Sequence, residues 1–331
     1  MLESPRCRIA PISPAAQDAL HKNGQMSRRL LITGKSGFVG SAIVRALIGS
    51  PDAPFVLVPG ECPDVCDGAA WDFYIATVKP DVVIHLAALT FVPDSFANPK
   101  KTFEINLLGT LNVLQALHRN GFAGRMLFVG TGDVYGAVAP ELLPITEQTL
   151  PHPRNPYAVS KLAAESLCFQ WSQTHEFDVV MARPFNHIGS GQSPSFVIPS
   201  MARQIAEIAA GKRPPAVDVG DIDVMRDFTD VRDVVQSYFA LIESGQPGEF
   251  YNVCSGREHT IRDALIALGK MAGVEFEIRR DPARLRAAEQ RRIVASNEKI
   301  TRATGWTPET AFDQSLEDVL KEWTERVANN G

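Results

Sequence analysis

The stretch "LLITGKSGFVGSAIVRAL" places Gly34, Gly37 and Gly40 between an apolar run and a helical pattern. Glycine permits a tight turn, lets the backbone approach a pyrophosphate, and allows strand and helix to pack closely. A helix starting there turns unpaired N–H groups and the positive end of its dipole toward phosphate. Three glycines elsewhere would say little; the strand before and the helix after supply the context a dinucleotide site requires. The expected coenzyme cradle is therefore Gly34, Lys35, Gly37, Phe38, Val39 and Gly40.

From residue 28 the chain alternates short β-rich runs with longer helical patterns. "RLLIT" (29–33), "FVLVP" (55–59), "DVVIHLA" (81–87), "RMLFVGT" (125–131) and "DVVMARP" (178–184) read as strands, with helices near 38–49, 68–78, 98–119 and 157–174. Strands apolar on both faces belong to a sheet covered on each side. The alternation predicts an α/β fold of the Rossmann type, a doubly wound parallel sheet whose ligand lies beyond the carboxyl ends of the strands. After Pro184 the regularity fades. A helix around 195–211, a loop-like segment at 212–221, a strand in "EFYNVCSG" (249–256) and an extended piece at 275–280 suggest a smaller, discontinuous C-terminal lobe. The expected division is a coenzyme domain over 28–184, to which 225–254 returns, and a substrate-binding lobe from 185–224 and 255–328. Residues 1–27, with three prolines and no continuous apolar core, read as a mobile leader, and Met26 offers an alternative start.

Among the 331 residues 45% are hydrophobic and 21% charged, and the net charge of −5 provides no field to attract nucleic acid or an anionic membrane. No apolar run approaches the roughly 20 residues that span a bilayer. Five cysteines fit a reducing compartment, which points to the cytoplasm. Cys62 and Cys66 lack a second ligand pair, so free thiols are expected and no metal.

An acid at the end of the second strand ordinarily holds the ribose 2′-OH of NAD. Here that strand ends "FVLVPGE": Val58 and Pro59 cannot serve, and Glu61 lies two residues further on. Lys35, inside the glycine loop, can attract a 2′-phosphate. NADPH is the expected coenzyme, with NADH as the alternative.

In "NPYAVSKLAAE", Tyr157 and Lys161 stand at i and i+4 and share one face of a helix that begins with Pro156. Alone, that pair reads as a solvated lysine beside a half-buried tyrosine. With TGxxGFVG at 33–40, HLAA at 85–88, Asn106, TGDVYG at 131–136 and YxxxK at 157–161, the chain resembles the extended short-chain dehydrogenase/reductases over about residues 28–325. The resemblance implies that Tyr157 exchanges a proton with substrate, that Lys161 together with the nicotinamide cation lowers the phenol's ordinary pKa of about 10, and that Thr131 hydrogen-bonds the same oxygen. It implies coenzyme contacts at Asp64, Val65, Leu86, Ala87, Asn106, Tyr157, Lys161 and Pro184 as well. Asn106 would organise active-site water, unless it is a buried helical asparagine satisfied by backbone.

Within that family, "PHPRNPYAVSKLAAESLC", "ARPFNHIGSGQ", "VGDIDVMRDFTDVRDV" and "YNVCSG" look like the enzymes of GDP-sugar reduction. This similarity implies a GDP-sugar substrate and NAD(P)H-dependent reduction of the C4 ketone of GDP-4-keto-6-deoxy-D-mannose to GDP-D-rhamnose. "RRDPARLRAAEQRR" packs six arginines into 14 residues of an acidic chain, and arginine forks suit diphosphates. By resemblance, Arg286 and Glu289 would contact diphosphate and ribose, with Arg226 and Asn186 joining the clamp. Val197 would approach the base, and Arg203 is a further candidate. Most of the other arginines are those of a solvated face.

The rival reading is a GDP-mannose dehydratase, which shares the FNH motif seen at Phe185, Asn186 and His187. Dehydratases carry glutamate two residues before the tyrosine of their xYG segment, where this chain has Asp133. Losing one methylene withdraws the carboxylate by about 1.5 Å, and a misplacement near 1 Å costs roughly 10²-fold. Asp133 can still hold a sugar hydroxyl or cap its turn. An epimerase is a third option, with His187 as a conceivable base but no cysteine partner. A coenzyme-binding sensor would usually lack the tyrosine or the lysine. Relatives commonly dimerise through helices such as 98–119 and 157–174, so a homodimer is expected.

Overall fold

The computed structural model describes residues 21–22, 25–50, 53–174, 177–284 and 290–329. The expected leader mostly lies outside these residues, as do Arg286 and Glu289; of the leader, His21–Lys22 pairs antiparallel with Gln25–Met26.

Along the chain β1 (Arg28–Thr33), α1 (Phe38–Ile48), β2 (Phe55–Leu57), α2 (Gly68–Val78) and β3 (Val82–His85) alternate. A helical run follows: α3 (Val92–Ala97), α4 (Pro99–Phe103), a π-helical turn (Glu104–Leu108) and α5 (Gly109–Arg119). Next come β4 (Arg125–Val129), α6 (Pro156–Thr174) and β5 (Asp178–Pro184). The second half holds β6 (Asn186–Ile188), α7 (Val197–Ala209), β7 (Ala216–Val219), β8 (Met225–Asp230), α8 (Val231–Ser244) and β9 (Phe250–Val253). It closes with β10 (Glu258–Thr260), α9 (Ile261–Ala272), β11 (Glu277–Arg280), α10 (Glu298–Thr304) and α11 (Phe312–Asn329).

The central sheet has six parallel strands in the order β9-β5-β4-β3-β1-β2. Strand side chains alternate between faces, so Leu30 and Ile32 pack with Ile43, Val234 and Tyr238. Leu31 packs on the other side with Trp71, Leu114 and Trp171. That two-sided burial is why the strands read as continuous apolar runs. Strand order reverses between β1 and β3, the switch point beyond whose carboxyl ends a ligand crevice opens.

In the lobe, β8 lies between β6, parallel, and β10, antiparallel. A second pair, β7 and β11, runs parallel. Helices α7, α9 and α11 bury Ile205, Leu265, Leu268 and Trp323 against one another. Of the segment 225–254, α8 and β9 pack with the central sheet, whereas β8 is hydrogen-bonded within the lobe.

Two local readings of the sequence differ from the structure. The segment 212–221 is not all loop: it carries β7, hidden behind Pro214 and Pro215, because its partner β11 lies far along the chain. The helical run 98–119 is not a continuous α-helix, because Glu104–Leu108 forms a π turn. Such one-turn bulges redirect side chains and occur often at functional sites.

Candidate active site

Gly34 follows β1 with φ of +71°, a left-handed conformation, and a Cβ on it would stand 3.1 Å from the Ala87 nitrogen. A Cβ on Gly40 would meet the Gly34 carbonyl oxygen at 2.5 Å and Lys35 Cα at 2.6 Å. The turn and the first turn of α1 are thus in backbone contact, closer than side chains allow. Gly37 caps α1 without a side-chain acceptor, which leaves the orphan N–H groups of the first turn to a ligand. A dinucleotide fits this cradle. Beside it a cavity of about 170 Å³ is lined by Thr33, Gly34, Lys35, Glu61, Val65 and Ala87. Lys35 Nζ donates to the Gly60 carbonyl at 2.5 Å and pairs with Glu61 at 3.0 Å, closing one rim. Asp64, also expected to touch coenzyme, accepts from the Cys66 N–H at 2.9 Å, and the Val65 carbonyl accepts from Asn112 at 2.8 Å.

The far wall of the crevice is held by a network that sequence reading missed. The Thr110 hydroxyl donates to the Asn106 carbonyl at 2.7 Å, so its oxygen accepts from His85 Nε2 at 3.0 Å. His85 Nδ1 is then the acceptor for the Thr33 hydroxyl at 2.9 Å. The Thr33 oxygen in turn accepts the N–H groups of Leu86 and Ala87, each at 3.0 Å. Burial, with the Lys161 charge adding to it, pushes His85 down to about 3, so the ring is neutral. The HLAA motif marked this segment, but not the histidine's bonding role.

Asn106 is buried, its amide fully engaged: Oδ1 accepts from Leu89 N at 2.8 Å, and Nδ2 donates to Leu89 O at 3.0 Å and Ser160 Oγ at 2.9 Å. Asn106 thus binds the Leu89 backbone and the Ser160 hydroxyl from its place in the π turn.

Thr131 closes the loop after β4 and accepts from the Asp133 N–H at 3.2 Å. Asn155 caps α6 by accepting from Ala158 N at 2.7 Å, and its amide touches the exposed Asp133 carboxylate at 3.5 Å. In the first turn of α6, Tyr157 is buried beside Thr131. Burial pushes the Tyr157 phenol up; the Thr131 hydroxyl partly offsets this and the Asp133 carboxylate adds to it. The expectation that Lys161 lowers the phenol is therefore not met in the chain by itself. Lys161, 2% exposed, directs Nζ over the Phe128 ring at 4.4 Å. Burial draws it down to about 8, with Cys168 and Glu165 acting in the opposite sense.

Toward the lobe, Pro184 is buried at the end of β5, opposite Val253. Asn186 begins β6, exposed and opposite Phe228 of β8. Arg226 of β8 is buried and donates to its neighbour's carbonyl, Met225 O, at 2.7 Å. Val197 lies exposed at the start of α7. Arg203 pairs with Glu207 at 3.5 Å, the ordinary company of a helix-surface arginine. His187 stacks on Phe38 with ring centroids 5.8 Å apart, joining the lobe to the coenzyme loop. Among the described residues no group of histidines, cysteines and carboxylates could hold a metal.

The six-stranded parallel sheet with a glycine cradle at its switch point is the fold of the short-chain dehydrogenase/reductases. The chain belongs to the GDP-mannose 4,6-dehydratase family, whose model matches residues 60–319. It is 50% identical over 309 residues to the GDP-6-deoxy-D-mannose reductase of Pseudomonas aeruginosa, covering 91% of this chain and 99% of that protein. The structure of RMD from Pseudomonas aeruginosa complexed with NADPH superposes with a TM-score of 0.86 at 49% identity, over 90% of this chain and 99% of that one. At 30% identity and a TM-score of 0.78, the UDP-glucose 4-epimerase of Thermus thermophilus in complex with NAD matches 89% of this chain and 98% of its own.

Proposed function

We propose that this chain reduces the C4 ketone of GDP-4-keto-6-deoxy-D-mannose with NADPH, yielding GDP-D-rhamnose. The carrying observation is the likeness to the Pseudomonas aeruginosa reductase over nearly its whole length, on a chain that keeps Thr131, Tyr157 and Lys161. Bound NADPH supplies the hydride that the carbonyl carbon takes up. The carbonyl oxygen needs a proton, and Tyr157 is in the right state to give it, since burial keeps the phenol protonated at neutral pH. Thr131 hydrogen-bonds the same oxygen, and the Lys161 ammonium together with the cationic nicotinamide of the oxidised coenzyme would stabilise the phenolate left behind.

For the coenzyme, the cradle holds the pyrophosphate, and Lys35 takes the 2′-phosphate in exchange for its pairing with Glu61. Leu86 and Ala87, pinned by Thr33, form the opposing wall. On the substrate side Asn186 and Arg226 bind the diphosphate, the start of α7 at Val197 lies at the base, and Asp133 holds a sugar hydroxyl. Arg286 and Glu289 remain assigned to diphosphate and ribose. A homodimer through the helical run 98–119 and α6 is favoured by the exposed Leu108 of the π turn and Phe169 of α6. Among the described residues no helix is long and apolar enough to cross a membrane. Cys62, Cys66, Cys168 and Cys254 are free thiols, in keeping with a cytoplasmic setting.

The test is incubation with NADPH and GDP-4-keto-6-deoxy-D-mannose, followed by identification of the sugar. GDP-D-rhamnose with stoichiometric coenzyme oxidation is expected. Unconsumed NADPH would refute the reading, GDP-6-deoxy-D-talose would mean hydride delivery to the other face of the ketone, and conversion of GDP-mannose to the 4-keto-6-deoxy sugar without net coenzyme consumption would move it to the dehydratase reaction.

A further inference from the structure

Lys161 and Glu165 stand one turn apart on α6, the spacing at which an ammonium and a carboxylate ordinarily pair. Glu165 is instead gripped by Arg183 of β5, whose Nε and Nη2 donate to its two oxygens at 2.8 and 2.5 Å. The two side chains are 3% and 6% exposed. The guanidinium carbon lies over the Phe250 ring, 3.8 Å from its centroid, and over the Tyr135 ring, 4.9 Å from its centroid. A buried ion pair of this kind is a poor device for stability, because desolvating both charges consumes most of their attraction. Its place next to Lys161 suggests another use.

The groups facing Lys161 are Glu165 and Cys168 on its own helix and His85 of β3; Tyr157 precedes it by one turn of α6, and Arg183 and Tyr135 act on Glu165. Burial keeps Tyr157, Cys168, Tyr135 and His85 uncharged at neutral pH. Glu165 is the carboxylate set against Lys161, Glu147 acts on the Arg183 side, and arginine does not give up its proton. Lys161 alone can adjust. With Glu165 held, its ammonium rests on the face of Phe128 at 4.4 Å, a contact that leaves its N–H groups for the reaction.

We propose that Arg183 and Glu165 are positioning residues for Lys161: the guanidinium occupies the neighbouring carboxylate, so the ammonium stays charged by proximity without being captured. This inference rests on the reductase reading above. Glu165→Gln removes the attraction and shifts the alkaline limb of the kcat profile to lower pH by about one unit, with the KM for NADPH changed less than twofold. Glu165→Asp, which keeps the charge, restores the limb. Arg183→Lys replaces a two-pronged partner by a point charge, frees Glu165 to engage Lys161, and shifts the limb to higher pH while kcat falls.

If Glu165→Gln does not fold, Arg183→Lys decides alone. A limb that stays in place in whichever of these two variants folds, or that moves equally in the Gln and Asp variants, overturns the proposal and makes the pair purely structural. An inactive wild-type protein would instead defeat the reductase reading itself.

Discussion

The Asn106 amide donates to the Ser160 hydroxyl at 2.9 Å, and that hydroxyl donates to the Tyr157 carbonyl at 2.7 Å. The π turn, the loop after β3 and the first turn of α6 are thereby one unit, with the phenol at its end. Asn106→Ala leaves the half-buried N–H and C=O of Leu89 without their amide partner, and each such group costs up to about 1–3 kcal/mol. A loss of about 3 kcal/mol in unfolding free energy is expected by denaturant titration. A loss below 1 kcal/mol would mean that water replaces the amide.

Tyr157→Phe deletes the proton donor and little else, since the ring stays buried. Turnover should fall by about 10²–10⁴-fold, the range of general acid catalysis. NADPH affinity, followed by fluorescence titration, should change little. Retention of a tenth of the wild-type rate would remove Tyr157 from proton transfer.

The depressed Lys161 gives opposite pH trends for activity and stability. In the folded chain it loses its proton near pH 8, whereas its ordinary value is 10.5. Between those values the unfolded chain binds the extra proton, so this group's contribution to stability increases as pH rises from about 8 toward 10. Turnover declines over the same interval because the ammonium is lost. Parallel pH series of kcat and of Tm check this; a Lys161→Met variant should show the stability trend weakened.

At the rim of the coenzyme pocket, Lys35→Ala should raise the KM for NADPH about tenfold or more, the value of one charge-assisted hydrogen bond. The KM for NADH should stay within about twofold, because NADH carries no 2′-phosphate. Equal effects on both coenzymes would place Lys35 away from that phosphate. Glu61→Gln, which releases the Lys35 ammonium, should shift the preference further toward NADPH.

What could be read from the sequence alone was what is local. Glycines between a strand and a helix, apolar runs of strand length, and a tyrosine and lysine at i and i+4 each act within one or two turns of chain, so spacing suffices to see them. What only the tertiary structure decided was every relationship between distant residues: His85 held between Thr33 and Thr110, Asn106 aimed by a π turn, Glu165 occupied by Arg183, and a phenol raised by its surroundings. The reason is electrostatic and steric. Burial and partner choice set the charge and direction of a side chain, and both depend on which strands and helices are brought side by side when the sheet closes.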